Sequence, residues 1–197
     1  GILAQSPSSL AQDAVPPDGE VPELSESAMQ AAQLFGEGVS AVERSDWPAA
    51  REAFRRAYDV SGRALILVNL ALVEIELRDY VSAAQNYRQF LASSDPEATP
   101  EQRAEVQRAV INLETRLARV EVATPNAEAA SVVTVDGREV LASELASLEL
   151  NPGRHVFTLR EGTEEVARTE LTLREGARDR VVLQRAEQLV TPPPPPP

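Results

Sequence analysis

The chain has 197 residues, 43% of them hydrophobic but only 4% aromatic, and a formal net charge of −12. Its core must therefore be built mainly from Ala, Leu and Val, and no segment forms the basic stripe that phosphate neutralisation by a nucleic-acid binder requires. Every one of the 19 basic residues is Arg and there is no Cys, which removes Lys-based phosphate loops, Schiff bases, thiolate nucleophiles and Cys-ligated zinc.

Residues 1–25 are rich in Pro, Ser and acids without periodicity, and read as a disordered acidic leader. The opening GILAQ (1–5), which lacks Met, reads as the remnant of a signal peptide or a cloning scar. From Glu26 the pattern turns helical, with Ala31, Leu34, Phe35, Gly38, Val39 and Val42 recurring at three- and four-residue steps. A second helix begins at Trp47, with Pro48 in its first turn, and ends at Ser61–Gly62. The third, about Ala64 to Leu77, is apolar on nearly every side and so is expected to pack on both faces. The fourth covers Tyr80 to Ala92. A fifth is announced by Thr99, Pro100 and Gln102, a capping signature, and is expected to run to Arg119 with Val106, Val110, Leu113 and Leu117 as one stripe.

After Arg119 the period changes to alternation. RVEVAT, VVTVDGREV, HVFTLREG, RTELTLREG and RVVLQ are separated by Gly, Pro, Asn and Asp turns, and TLREG occurs at both 158–162 and 172–176. This half reads as roughly six short strands in a small antiparallel β-sandwich, residues 120–187. Residues 188–197, ending in six prolines, read as a polyproline II spacer that continues beyond this chain. The fold class is thus α+β in two segregated domains, helical over 26–119 and β over 120–187.

The helices contain an internal repeat. DWPAAREAFRRAYDV (46–60) and DYVSAAQNYRQFLAS (79–93) align at a spacing of 33 residues, matching Asp46 with Asp79, Trp47 with Tyr80, Ala50 with Ala83 and Phe54 with Tyr87. Two helical hairpins follow, 31–62 and 64–95, with 100–119 as a closing helix. These residues resemble the tetratricopeptide repeat, a hairpin of about 34 residues. Glu74 departs from the repeat's pattern, since an apolar residue usually packs there. VTVDG, LNPGRHVFTL and LREGARDRVVLQ resemble a PEGA-type β-domain, with Pro152–Gly153–Arg154–His155 at its turn. The combination resembles exported, envelope-associated proteins of GC-rich Gram-negative bacteria, and implies a periplasmic or cell-envelope location.

No residue set assembles a catalytic site. His155 is the single histidine, without a nucleophile motif near it, and reads as a solvent-facing strand residue. Carboxylate pairs such as Glu74/Glu76 read as solvated surface, and Asp136–Gly137 as a turn rather than a calcium loop. Neither cofactor nor metal is expected. The resemblance instead implies a groove lined by the first helix of each hairpin, nominating Phe35, Val39, Val42, Val68, Asn69, Leu72 and Ile75 as partner-binding residues. Asn69 is an amide among Leu and Val, and can hydrogen-bond an extended peptide. The leading expectation is a non-enzymatic adaptor for a protein or peptide partner. Two alternatives stand beside it: a structural subunit of a larger envelope assembly, and cell-wall glycan binding by the β-domain, with Phe157 as the one aromatic available for stacking.

Overall fold

A computed structural model describes residues 25–128 and 130–185. Residues 1–24 of the leader expected over 1–25, and the proline-rich tail, lie outside the described residues, while Ser25 caps the first helix. The chain divides into two compact units between Thr115 and Arg116, α-helical before and β after, as the two periodicities require.

The helical unit runs α1 (Glu26–Glu43), α2 (Trp47–Ser61), α3 (Leu65–Glu76), α4 (Tyr80–Ala92) and α5 (Pro100–Glu114). The repeated Asp residues explain the repeated turns. Asp46 accepts a bond from Ala49 N at 3.3 Å and Asp79 one from Ser82 N at 3.3 Å, each capping the second helix of its hairpin. The residue before each cap, Ser45 or Arg78, takes a left-handed φ of 56° or 59°. The following amide then returns to the first helix, Asp46 N to Ala41 O at 2.9 Å and Asp79 N to Glu74 O at 2.8 Å. The two turns are thus one structure built twice.

Packing inside each hairpin relies on small residues. Gly38 lies against the ring of Phe54, and a Cβ placed there would stand 2.6 Å from Phe54 Cε1. Ala50, Ala57, Ala71, Ala83 and Ala84 are all completely buried. A first core joins Leu34, Ala41 and Phe54 to Ile66, Leu70 and Val73, so α3 serves both hairpins. It has no cap of its own, and Asp95 supplies one from the α4–α5 connection by accepting from Ala64 N at 3.1 Å. The capping box at Thr99 forms as expected. From α5, Arg103 donates to Leu91 O at 3.2 Å and Asp95 O at 3.3 Å while its guanidinium lies over the Phe90 ring. The carbonyls at the end of α4 are thereby satisfied.

Helix α5 stops at Glu114, short of the expected Arg119, and Leu117 therefore leaves the helical stripe. The competing demand comes from the β unit. Arg116 O accepts from Gly176 N at 3.1 Å and Arg119 N donates to Ala177 O at 2.8 Å, which engages backbone groups a longer helix would need.

Among the described residues the β unit has seven strands, against the roughly six expected: β1 (Ala118–Ala123), β2 (Val132–Val135), β3 (Arg138–Val140), β4 (Leu148–Leu150), β5 (Gly153–Glu161), β6 (Glu164–Leu173) and β7 (Arg178–Val182). They form sheets ordered β4-β1-β7 and β3-β2-β5-β6. Both contribute to one core, with Val120, Val122, Leu148 and Val181 from the first and Val133, Val135, Phe157 and Leu159 from the second. The pairing is antiparallel throughout except at β1–β7, which is parallel. Alternation does not encode strand direction, and this pair joins the first and last strands, whose intervening chain supplies the crossover that parallel neighbours need.

Candidate functional site

The seven residues nominated for a groove differ in burial and in what they pack against. Phe35 is half-buried and its ring centroid lies 5.3 Å from that of Phe54, while Val39 and Val42 pack on the same core. Val68 is only 6% exposed and offers no surface to a partner. The physical reason is the breadth of the apolar stripe on α1, which seats its flanks as well as its centre against α2 and α3. Asn69, Leu72 and Ile75 remain half-buried along one side of α3. Asn69 Nδ2 reaches only Leu65 O of its own helix, at 3.4 Å, a long and weak bond.

A different recess lies where α2, α3 and α4 meet. It is an open cleft of about 270 Å³ floored by Leu67 and Leu70, rimmed by Arg55 and Tyr58 of α2 and by Ser82, Gln85 and Gln89 of α4. Gln89 Nε2 donates to Tyr58 Oη at 2.7 Å and ties the two rims together. In its wall sits Glu74, 5% exposed, whose Oε2 accepts from Asn86 Nδ2 at 2.7 Å. The expectation that Glu74 and Glu76 are both solvated is therefore corrected: Glu76 is exposed, but Glu74 is buried among three helices. Burial pushes the Glu74 carboxyl up from an ordinary 4.5 to about 7. Asp79 adds to the rise, while the Asn86 bond and the Arg51 and Arg55 guanidinium groups oppose it.

The repeat register contains the signal for this site. Thirty-three residues earlier, Glu74 corresponds to Ala41 and Asn86 to Ala53, both buried and apolar. The first hairpin fills these two positions with methyl groups and the second fills both with polar groups that bond to each other. Aligning the conserved skeleton of the repeat hides this pair, because it lies at positions that differ.

In the β unit, Asp136 and Gly137 take φ of 52° and 82° and join β2 to β3, which is the turn the sequence implies. His155 is not solvent-facing, being 8% exposed. Its Nδ1 meets Asp136 Oδ2 at 2.7 Å and its Nε2 meets Asn151 O at 2.8 Å, while Asp136 Oδ1 accepts from Val156 N at 2.9 Å. The carboxylate thus fastens β5 to the β2–β3 turn. Asp136→Ala should leave His155 Nδ1 and the Val156 amide without their partner, while Nε2 keeps Asn151 O, and destabilise this unit by about 2–3 kcal/mol. Asp136→Asn should cost less, since its amide can donate to Nδ1 and still accept from Val156. Amide hydrogen exchange in β2 and β5 checks the ranking, and equal loss of protection in both variants would refute it.

Phe157 is completely buried in the sandwich core. The glycan-stacking alternative therefore loses the one aromatic on which it stood. Among the described residues no three of His, Asp and Glu come together as a metal site would need, and no helix is long and apolar enough to cross a membrane. No family model matches the chain, and a search of curated proteins finds no significant relative.

Proposed function

We propose that the chain is a non-enzymatic protein-interaction module of the cell envelope, its helical hairpins of tetratricopeptide type and its β unit of PEGA type. The observation that carries this reading is the side of α3 bearing Asn69, Leu72 and Ile75. Two branched apolar residues and a weakly engaged amide stay half-buried on a helix whose other positions between Ile66 and Glu74 are buried. Such a surface suits an extended segment or helix of a partner, with apolar contacts for affinity and the amide for register. The chemistry-bearing side chains support a binding rather than a catalytic role, since both nitrogens of His155 are held by structural acceptors.

The test uses a photo-crosslinking residue at position 72, compared with one at the exposed Gln107 of α5, in cells of the source organism. Discrete adducts from 72, absent from 107 and lost in Asn69→Asp, are expected. Equal adducts from both sites would defeat the reading. An adduct with a second copy of the chain would favour the structural-subunit alternative instead. Phe35→Ala is unsuitable as a probe, because removing a ring packed on Phe54 damages the core itself.

A further inference from the structure

The cleft beside Glu74 is a second feature of the helical unit, separate from the side of α3 that carries Leu72. Its special character is the coordinated replacement of two buried alanine positions by a carboxyl and an amide. The fold does not need them, since the first hairpin closes with Ala41 and Ala53 at the equivalent places. Burying a carboxyl is unfavourable unless something compensates it, and here only one oxygen has a partner. Oε2 is held by Asn86, while Oε1, with no hydrogen bond or ion pair among the described residues, is not sealed off and opens on the cleft.

We propose that this cleft takes up a single alkylammonium group, the side chain of a lysine presented by a partner protein, with Glu74 Oε1 as its counter-ion. Leu67 and Leu70 on the floor suit the aliphatic stem of such a chain. The oxygens of Ser82, Gln85 and Asn86 are available to accept the remaining ammonium protons. Ammonium is favoured over guanidinium by the geometry of the carboxylate. A guanidinium fork binds best to two oxygens, whereas Asn86 leaves one, which suits a compact point charge. These 197 residues contain no Lys, so a second copy of them supplies none, and the lysine is assigned to a different partner. The chain's net charge of −12 favours approach of a cationic partner.

The charged and titratable groups facing Glu74 are Arg51, Arg55 and Tyr58 from α2 and Asp79 at the start of α4. Arg51 is 3.9 Å from Asp79 and the exposed Arg55 is 3.5 Å from Glu52, so each cation already has an acidic neighbour. The cleft-lining residues of α4 carry no charge. Because burial holds the Glu74 carboxyl up at about 7, an arriving cation favours its ionised form and uptake releases a proton. Binding therefore strengthens as pH rises.

This inference rests on the reading of the helical unit as a partner-binding module, and its test is independent of the cross-linking at position 72. The full chain, carrying carboxyl-labelled Glu, is titrated with n-butylammonium and separately with n-butylguanidinium, followed by NMR. Saturable shifts of the Glu74 carboxyl and the Asn86 amide are expected at pH 8. Binding should be about fivefold or more weaker at pH 6, following protonation of the carboxyl, and about fivefold weaker for the guanidinium. Glu74→Gln keeps an acceptor for Asn86 and should lose binding at least about tenfold, as expected when a charge partner is removed. The proposal fails if the shifts do not saturate, if Glu74→Gln binds equally, if affinity ignores pH, or if guanidinium binds as well as ammonium. Failure here with adducts still forming at position 72 sinks the cleft alone. Ammonium binding without those adducts sinks the docking face of α3 instead.

Discussion

Phe54→Ala is expected to lower the unfolding free energy of the helical unit by about 3–5 kcal/mol. The ring is 2% exposed, meets Phe35 at 5.3 Å between centroids and fills the space beside Gly38. Its loss opens a cavity at the centre of the first core, between residues of α1, α2 and α3 that cannot all move inward. Small domains are stable by only about 5–15 kcal/mol, so the variant should be close to unfolding. Trp47, the single tryptophan, packs against the same core and reports the change by fluorescence in urea. A midpoint shift equivalent to less than about 1 kcal/mol would show that the site collapses or that the ring is not central. The complementary change, Gly38→Ala, gains about 1 kcal/mol of helix propensity. It also forces a methyl onto three ring carbons of Phe54, the nearest at 2.6 Å. Overpacking of this kind costs about 1–3 kcal/mol, and the clash wins because an aromatic ring cannot bend aside. Phe54→Leu should relieve it, so the two substitutions together should be less harmful than their sum.

The second large effect concerns pH. Glu74 has a folded-state pKa of about 7 against 4.5 in the ordinary carboxylate range, because burial disfavours its charge. Between those values the folded chain retains a proton that the unfolded chain has released, so stability falls as pH rises from about 4.5 to about 7 and levels off above. Glu74→Gln removes this dependence. It should match the parent near pH 4.5 and exceed it by about 3–4 kcal/mol at pH 8, at roughly 1.4 kcal/mol per unit of raised pKa. Urea unfolding across that range measures the difference. If the parent and the variant follow parallel curves, Glu74 is not the group responsible. A gain in stability on removing the carboxyl would be the mark expected of a group retained for binding, since the fold is better served without it.

The sequence made most of the scaffold legible because its signals are local. Capping at Thr99, helix periodicity through α1 to α5, and the change to alternation all arise from contacts between near neighbours in the chain. The error at the end of α5 shows where such reasoning stops. Nothing local distinguishes Arg116 as the last turn of a helix from Arg116 as an acceptor for Gly176, sixty residues away. The burial of His155 escapes local reasoning for the same reason, since its partner Asp136 lies in the β2–β3 turn, nineteen residues earlier. The nominated groove mixed two kinds of residue that periodicity cannot separate. Phe35 and Val68 share the helical face of true surface residues, yet one packs on Phe54 and the other is enclosed.

By itself the sequence determined that this chain folds as two helical hairpins with a closing helix followed by a β-sandwich, and that each Asp–aromatic pair begins the second helix of its hairpin. These follow from patterns whose period is that of the backbone. Only the tertiary structure decided which exceptions to those patterns matter. It brought Glu74 and Asn86, twelve residues apart on successive helices, to 2.7 Å and closed three helices around the carboxyl. Burial is a property of the packed assembly and not of a residue, so a carboxylate that reads as surface in one dimension became the most perturbed acid among the described residues in three.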